Sequence, residues 1–348
     1  MAAARFSDLP GWSAADLTPA LAAFRRSCDV LAKKPRQEKL ADYAGTAADW
    51  QAVCEQANGA ARIFFERHFT PYAFSGEGLF TGYYEPEIRG SRIRHDAYQT
   101  PVYGLPTDLI RVDLAAFKPE FKGEHVSGKL NGQKLVPYAT RAEIDAKGVS
   151  TANVLFWCDD PIALFFLQIQ GSGRVRLDDG TALRIGYAGE NGRPYTAIGR
   201  VLLAKGELEK EKISLATIRD WLKAHSGLAR TVMEANQSFI FFEEKALGDT
   251  ALGSNGVEGV PLTPLGSMAI DLRKNALGAP YYIATDPLKA LLIAQDTGGA
   301  IRGQVRGDVY FGFGGPAEQR AGEMKAQGHM FVLLPNEVAA RLGKSFSP

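Results

Sequence analysis

The chain has 348 residues, 45% of them hydrophobic and 23% charged, with 40 basic against 39 acidic side chains. That length holds one large domain or two medium ones around a sizeable core. The near-zero charge excludes both the basic footprint of a nucleic-acid binder and a strongly acidic face, so a neutral polymer is the easier partner.

Helical spacing opens the chain. Residues 17–31 carry apolar side chains at that spacing behind Thr18-Pro19, and residues 50–69 do so up to Thr70-Pro71. Cys28 and Cys54 lie on these consecutive segments, which leaves a disulfide between them geometrically open, and export would favour it. After Pro71 short runs of Tyr, Phe, Thr and Val broken by Gly, Pro and Asp predict strands, first in Phe80-Thr-Gly-Tyr-Tyr-Glu-Pro and then in Gln99-Thr-Pro-Val-Tyr-Gly. Residues 107–134 read as loops around short strands. Thr140 with Glu143 forms a capping-box pattern for a helix over 140–147.

Residues 154–166, 173–177 and 182–187 read as strands, with Asp178-Asp-Gly as a hairpin turn. That reading puts Gln168 and Gln170 on one face of a strand and makes Cys158 a buried thiol. Residues 197–203 and 215–225 look helical. Strands return at 239–243, 268–271, 281–284, 290–294, 308–313 and 330–334. The run Gly312-Phe-Gly-Gly lacks the Lys-Ser/Thr of a phosphate cradle, and no helical pattern follows it. No apolar run approaches the ~20 residues that span a bilayer. The first residues also lack the apolar stretch of a signal peptide. The scattered histidines and cysteines lack metal-site spacing, so neither metal nor cofactor is expected.

Chemistry concentrates where Asp296 closes one apolar strand and Asp308 opens the next. Gly298, Gly299, Gly303 and Gly307 supply the turning freedom between them. Both aspartates could still be turn caps. Glu85 and Glu190 are acidic alternatives, each beside turn residues. Ser172 lacks the pattern of a nucleophile elbow. Aromatic faces stack on sugar rings and amides bond their hydroxyls, which marks Tyr83, Tyr84, Tyr103, Gln168, Gln170, Tyr187, Asn191 and Tyr195 as sugar-contact candidates, with core roles as the plain alternative for the tyrosines.

The Asp296–Asp308 segment resembles the signature of the membrane-bound lytic murein transglycosylase A family. So do, in order, Phe80-Thr-Gly-Tyr-Tyr-Glu-Pro, Gln99-Thr-Pro-Val-Tyr, Gln168-Ile-Gln-Gly-Ser-Gly, Gly186-Tyr-Ala-Gly-Glu-Asn-Gly-Arg-Pro-Tyr, Glu234-Ala-Asn-Gln-Ser-Phe-Ile-Phe-Phe and Pro261-Leu-Thr-Pro-Leu-Gly-Ser-Met-Ala-Ile-Asp. The resemblance implies a mainly β protein with N-terminal helices: a double-psi β-barrel from residues 1–100 and 238–348, a smaller β domain inserted over 101–237, and a glycan groove between them. It implies cleavage of peptidoglycan glycan strands by lytic transglycosylation, in the periplasm, by a monomer. Outer-membrane association would come through a leader that the first residues do not carry. The three-aspartate pattern falls on Asp271, Asp296 and Asp308, with Asp308 as catalytic acid/base. Asp296 is expected to lie within hydrogen-bond reach and keep Asp308 protonated. Asp271, Gly298, Gly299, Gln99, Thr100, Gly171, Ser172 and Ala188 join the candidate substrate contacts on the matching stretches. A hydrolytic glycosidase on the same barrel and a non-catalytic wall-binding module are the competing readings.

Overall fold

Six strands rich in aromatic and branched residues close on themselves in the computed structural model, which describes residues 1–122 and 124–345. Around the ring run Lys325–Pro335, Pro280–Thr285, Lys289–Asp296, Ser267–Ile270, Arg306–Phe313 and Gly78–Glu85, and the last pairs again with the first. Two pairs are parallel, Gly78–Glu85 with Arg306–Phe313 and Ser267–Ile270 with Lys289–Asp296, among antiparallel neighbours. The double-psi barrel drawn from both parts of the chain is therefore present. Closure satisfies the edge hydrogen bonds that an open sheet would leave unpaired. Phe69–Ala73 continues the sheet beyond Lys325–Pro335.

The N-terminal helix Thr18–Leu31 buries Ala20, Leu21, Ala23, Phe24, Ser27 and Leu31, one stripe at helical spacing. Phe24 meets Trp50, Phe64, Phe65 and Phe69 ring to ring in the barrel unit's main core. The helical stretch expected over 50–69 is two helices, Ala47–Cys54 and Ala61–His68, the first capped by Thr46 and Asp49. A disulfide joins Cys28 to Cys54.

The chain divides into two units, Met1–Glu85 with Asp249–Pro348, and Pro86–Gly248. The second begins earlier and ends later than the insert placed at 101–237, for a reason of pairing. Strand Glu87–Ser91 sets Ile88 opposite Val175 in parallel, and strand Ile240–Lys245 pairs along Ala182–Glu190. Both flanking strands are therefore members of the insert's own six-stranded sheet, which also holds Thr100–Tyr103, Val154–Cys158 and Ser172–Leu177. Ile110–Asp113, His125–Asn131 and Lys134–Pro137 form a second, three-stranded sheet.

The insert is not all β. The predicted strand over 154–166 stops at Cys158, and Pro161–Gln170 is a helix. Asp160 caps its first amides at 2.9 and 3.0 Å, and Pro161 sits at the first turn, where its missing N–H costs nothing. Gln168 and Gln170 thus end a helix and share no strand face. Three further helices, Ser226–Glu234, Gly314–Glu323, which starts within the Gly312-Phe-Gly-Gly run, and Asn336–Ser345, lie where no helix was predicted. Among the described residues no helix is long and apolar enough to cross a membrane.

Candidate active site

In the barrel unit one row of residues runs across four adjacent strands. Asp296 is in register with Ala269, Ala269 with Asp308, and Asp308 with Thr81. Two residues on, Tyr310 is in register with Tyr83, and their rings meet at 5.2 Å. Alternation puts Asp308, Tyr310, Thr81 and Tyr83 on one face and sends Phe311 to the other, where it packs in the core.

Asp308 is half-buried. Its Oδ1 accepts the Thr81 hydroxyl at 2.5 Å, and Thr81 in turn accepts from Arg306 Nη2 at 2.8 Å. The guanidinium fixes the direction of this chain, since the Thr81 proton can only point at Asp308. Oδ2 of Asp308 has no protein partner among the described residues. Burial pushes the Asp308 carboxyl above its usual value. Thr81 and Arg306 oppose that rise, and the charge of Asp296 adds to it.

Asp296 is held differently. Tyr83 donates its hydroxyl to Oδ2 at 3.0 Å, and the Val257 amide donates to Oδ1 at 3.1 Å. Burial first, and then the charge of Asp296, hold the Tyr83 phenol well above its usual range, so it remains a donor. The expected direct bond between Asp296 and Asp308 does not follow from this register. Ala269 stands between them, two strand spacings or ~10 Å at Cα, and Asp296 acts on Asp308 through its charge.

Behind Asp296 lies a buried polar network. Gln295 donates to Ala23 O and Ser27 Oγ, each at 2.9 Å, and accepts from Ser267 Oγ at 2.5 Å. Ser27 donates to buried Glu258 at 2.6 Å, and the Glu258 amide bonds Gln295 O at 3.1 Å. The same loop thereby presents the Val257 amide to Asp296.

Asp271 is not free to bind a substrate. Its side chain is 1% exposed and accepts from Arg273 Nε, Arg273 Nη2 and the Gly303 amide at 2.8–2.9 Å, which holds its carboxyl well below the usual range. It ties down the loop after Asp296, which carries half-buried Gly298 and exposed Gly299. Tyr84, on the opposite face from Tyr83, packs against the barrel core.

In the insert, several predicted sugar contacts are already occupied. Asn191 is fully buried; its Nδ2 donates to Ala139 O and Gln237 O at 2.8 and 2.9 Å, and its Oδ1 accepts from Phe239 N and Arg193 N. Gln168 is buried and accepts from Arg141 Nη1 at 2.6 Å. Gln99 bonds Arg94 and the Asp96 carbonyl. Glu190 pairs with His125 at 3.3 Å. Gln99, Thr100, Tyr103 and Gln168 all line one pocket of about 580 Å³ inside the insert. Gln170, Ser172, Tyr187 and Tyr195 are exposed, with half-buried Gly171 and Ala188 beside the first three. Thr81, Arg306 and Val257 were missed altogether, because their link to the aspartates is cross-strand or loop pairing that no local spacing records.

Residues 79–243 match the family described as "MltA specific insert domain", and residues 266–334 match the one described as "3D domain". The barrel and its insert thus define a 3D-domain protein carrying an MltA-type insertion. The membrane-bound lytic murein transglycosylase A of Escherichia coli K12 is 32% identical over 286 residues, 78% of this chain and 69% of that one. The crystal structure of MltA from Neisseria gonorrhoeae superposes with a TM-score of 0.77 at 32% identity, covering 96% of this chain and 90% of that one. A crystal structure of E. coli MltA with bound chitohexaose gives 0.60 at 27% identity, covering 90% of each. The chain belongs to the membrane-bound lytic murein transglycosylase A family.

Proposed function

We propose that this chain is a lytic transglycosylase that cleaves the β-1,4 bond between N-acetylmuramic acid and N-acetylglucosamine in peptidoglycan and leaves 1,6-anhydromuramoyl ends. The observation that carries the mechanism is the unequal treatment of two carboxyls on one barrel face. Asp296 has both oxygens held by donors, whereas Asp308 is biased toward its protonated form and keeps one oxygen unpartnered.

Breaking a glycosidic bond requires a proton on the leaving oxygen and passes through an oxocarbenium-like state. Asp308 supplies the proton from its free Oδ2 to the leaving O4. Asp296, fixed and acceptor-only, faces the cationic charge that develops. The muramoyl 6-hydroxyl then closes on its own anomeric carbon, a tethered attack with a large effective molarity. The Asp308 carboxylate takes the 6-hydroxyl proton and is reset, so one carboxyl serves both steps. Exposed Tyr187, Tyr195, Gln170 and Ser172 are the insert residues we assign to glycan contact. We place the enzyme in the periplasm, associated with the outer membrane, where the Cys28–Cys54 disulfide persists, and read it as a monomer because the chemistry asks nothing of a second copy.

Mass spectrometry of sacculus digests tests this. Anhydro-ended products are expected from the native chain, with a loss of about 10²–10⁴-fold for Asp308→Asn while chitohexaose binding survives. Reducing ends would mean hydrolysis, and unchanged release by Asp308→Asn would remove Asp308 from the mechanism.

A further inference from the structure

The insert's pocket is lined by a buried guanidinium that has no direct ion pair among the described residues. Arg141 is among its lining residues, with 4% of the residue exposed. Its Nε, Nη1 and Nη2 donate to Asn236 O at 3.1 Å, Gln168 Oε1 at 2.6 Å and Ser238 O at 2.7 Å, all neutral acceptors. The rings of Phe165 and Phe239 flank the guanidinium at 4.8 and 5.0 Å. No carboxylate among the described residues forms an ion pair with it, and only the longer-range charges of Asp145, which lines the pocket, and Glu234 offset it. Burial lowers its pKa to about 10, which leaves it charged at neutral pH. Of the five guanidinium N–H groups, the three bonds account for three, and one on each Nη remains. A buried cation offset only at longer range remains costly, and an anion bonded directly to it would lower that cost. Paired N–H groups on a planar fork match a carboxylate.

The rest of the pocket restricts what carries that carboxylate. Ile144, Ile162, Leu164, Leu222 and Met233 give it an aliphatic wall. Such a wall suits a short aliphatic chain. Exposed Asp145 and Lys223 also line the pocket, and neither has an ion pair among the described residues. A volume of about 580 Å³ is ordinary for a small-ligand site.

We infer that this pocket is a second ligand site, which takes a free carboxylate of a short acidic peptide on Arg141 and lays the peptide's aliphatic body on the apolar wall. The occupant that fits is the peptide stem of peptidoglycan, either attached to glycan or released from it; that choice rests on the function proposed above.

Calorimetric titration of the whole chain tests it. The probes are the tripeptide Ala-γ-Glu-diaminopimelate, the same peptide with its carboxyls amidated, the muramoyl-linked tripeptide, and chitohexaose. The tripeptide should bind, and amidation should weaken it about tenfold or more, the worth of a charge-assisted pair. Lys223→Glu, at an exposed position with no fold at stake, should weaken it severalfold, and Arg141→Lys should do so even where it folds. Tighter binding of the muramoyl-linked form assigns the site to attached stems, and equal binding assigns it to released ones. Equal affinity for acid and amide, no binding of the tripeptide, or its displacement by chitohexaose would overturn the proposal. Release of anhydro ends from peptide-free glycan, measured in parallel, judges the enzyme reading separately.

Discussion

Replacing Glu258 by Gln should stabilise the barrel unit above neutral pH and leave it nearly unchanged in acid. Glu258 is 9% exposed, and burial, opposed by its bonds to Ser27 and Gln295, pushes its carboxyl up to about 7 from an ordinary 4.5. The folded-state value lies above the unfolded one. Its contribution is therefore fully present below about pH 4.5 and is lost as the pH rises through about 7. The gap of about 2.5 units, at 1.36 kcal/mol each, makes that loss about 3 kcal/mol. Gln keeps an oxygen for the Ser27 hydroxyl and carries no proton to lose. The assay is urea unfolding between about pH 4.5 and 8, with the variant compared with the parent so that every other titrating group cancels. Trp12 and Trp50 belong to the barrel unit, so replacing Trp157 and Trp221 by Phe leaves a signal from that unit alone. Parallel pH profiles for the two proteins would refute the reasoning, and so would a variant less stable in base.

Thr81→Val removes the hydroxyl that steadies the Asp308 anion; the pKa of Asp308 should rise, and the alkaline limb of kcat/KM should move to higher pH. A limb that stays or moves down counts against Asp308 as the proton donor. Tyr83→Phe keeps the ring against Tyr310 and frees Oδ2 of Asp296, so kcat should fall about 10–100-fold with KM little changed, as steady-state kinetics would read. Cys28→Ser with Cys54→Ser opens a link of sequence separation 26 and should cost about 3 kcal/mol in chemical denaturation.

Local chemistry set many boundaries. Thr140 and Glu143 form the capping box that opens Arg141–Lys147, and Asp178-Asp-Gly turns between Ser172–Leu177 and Ala182–Glu190. The reading failed where a helix is apolar nearly all round. Leu164, Phe165, Phe166, Leu167 and Gln168 are consecutively buried, so Pro161–Gln170 has no period to distinguish it from a strand. Its start was written in Asp160-Pro161, a cap followed by a proline at the first turn. Gly314–Glu323 hid behind Gly-Gly-Pro, which reads as loop. The site divides in the same way. Asp296 and Asp308 stood out by their glycine-rich connection, while Thr81 meets Asp308 across 227 positions and through a parallel pairing that leaves no local trace.

The choice between the two aspartates was the part of the mechanism that rested on family resemblance, and the hydrogen bonds give it a physical basis. A general acid needs a proton of its own and an oxygen not already engaged by donors. Asp296 accepts from Tyr83 and from Val257, one on each oxygen. Asp308 accepts one hydroxyl, is driven toward its neutral form by burial, and feels the fixed charge of Asp296 as a further push in that direction. The asymmetry supports the proposal that Asp308 is the group that trades a proton. On that proposal a single acid/base suffices, because the nucleophile is carried by the substrate.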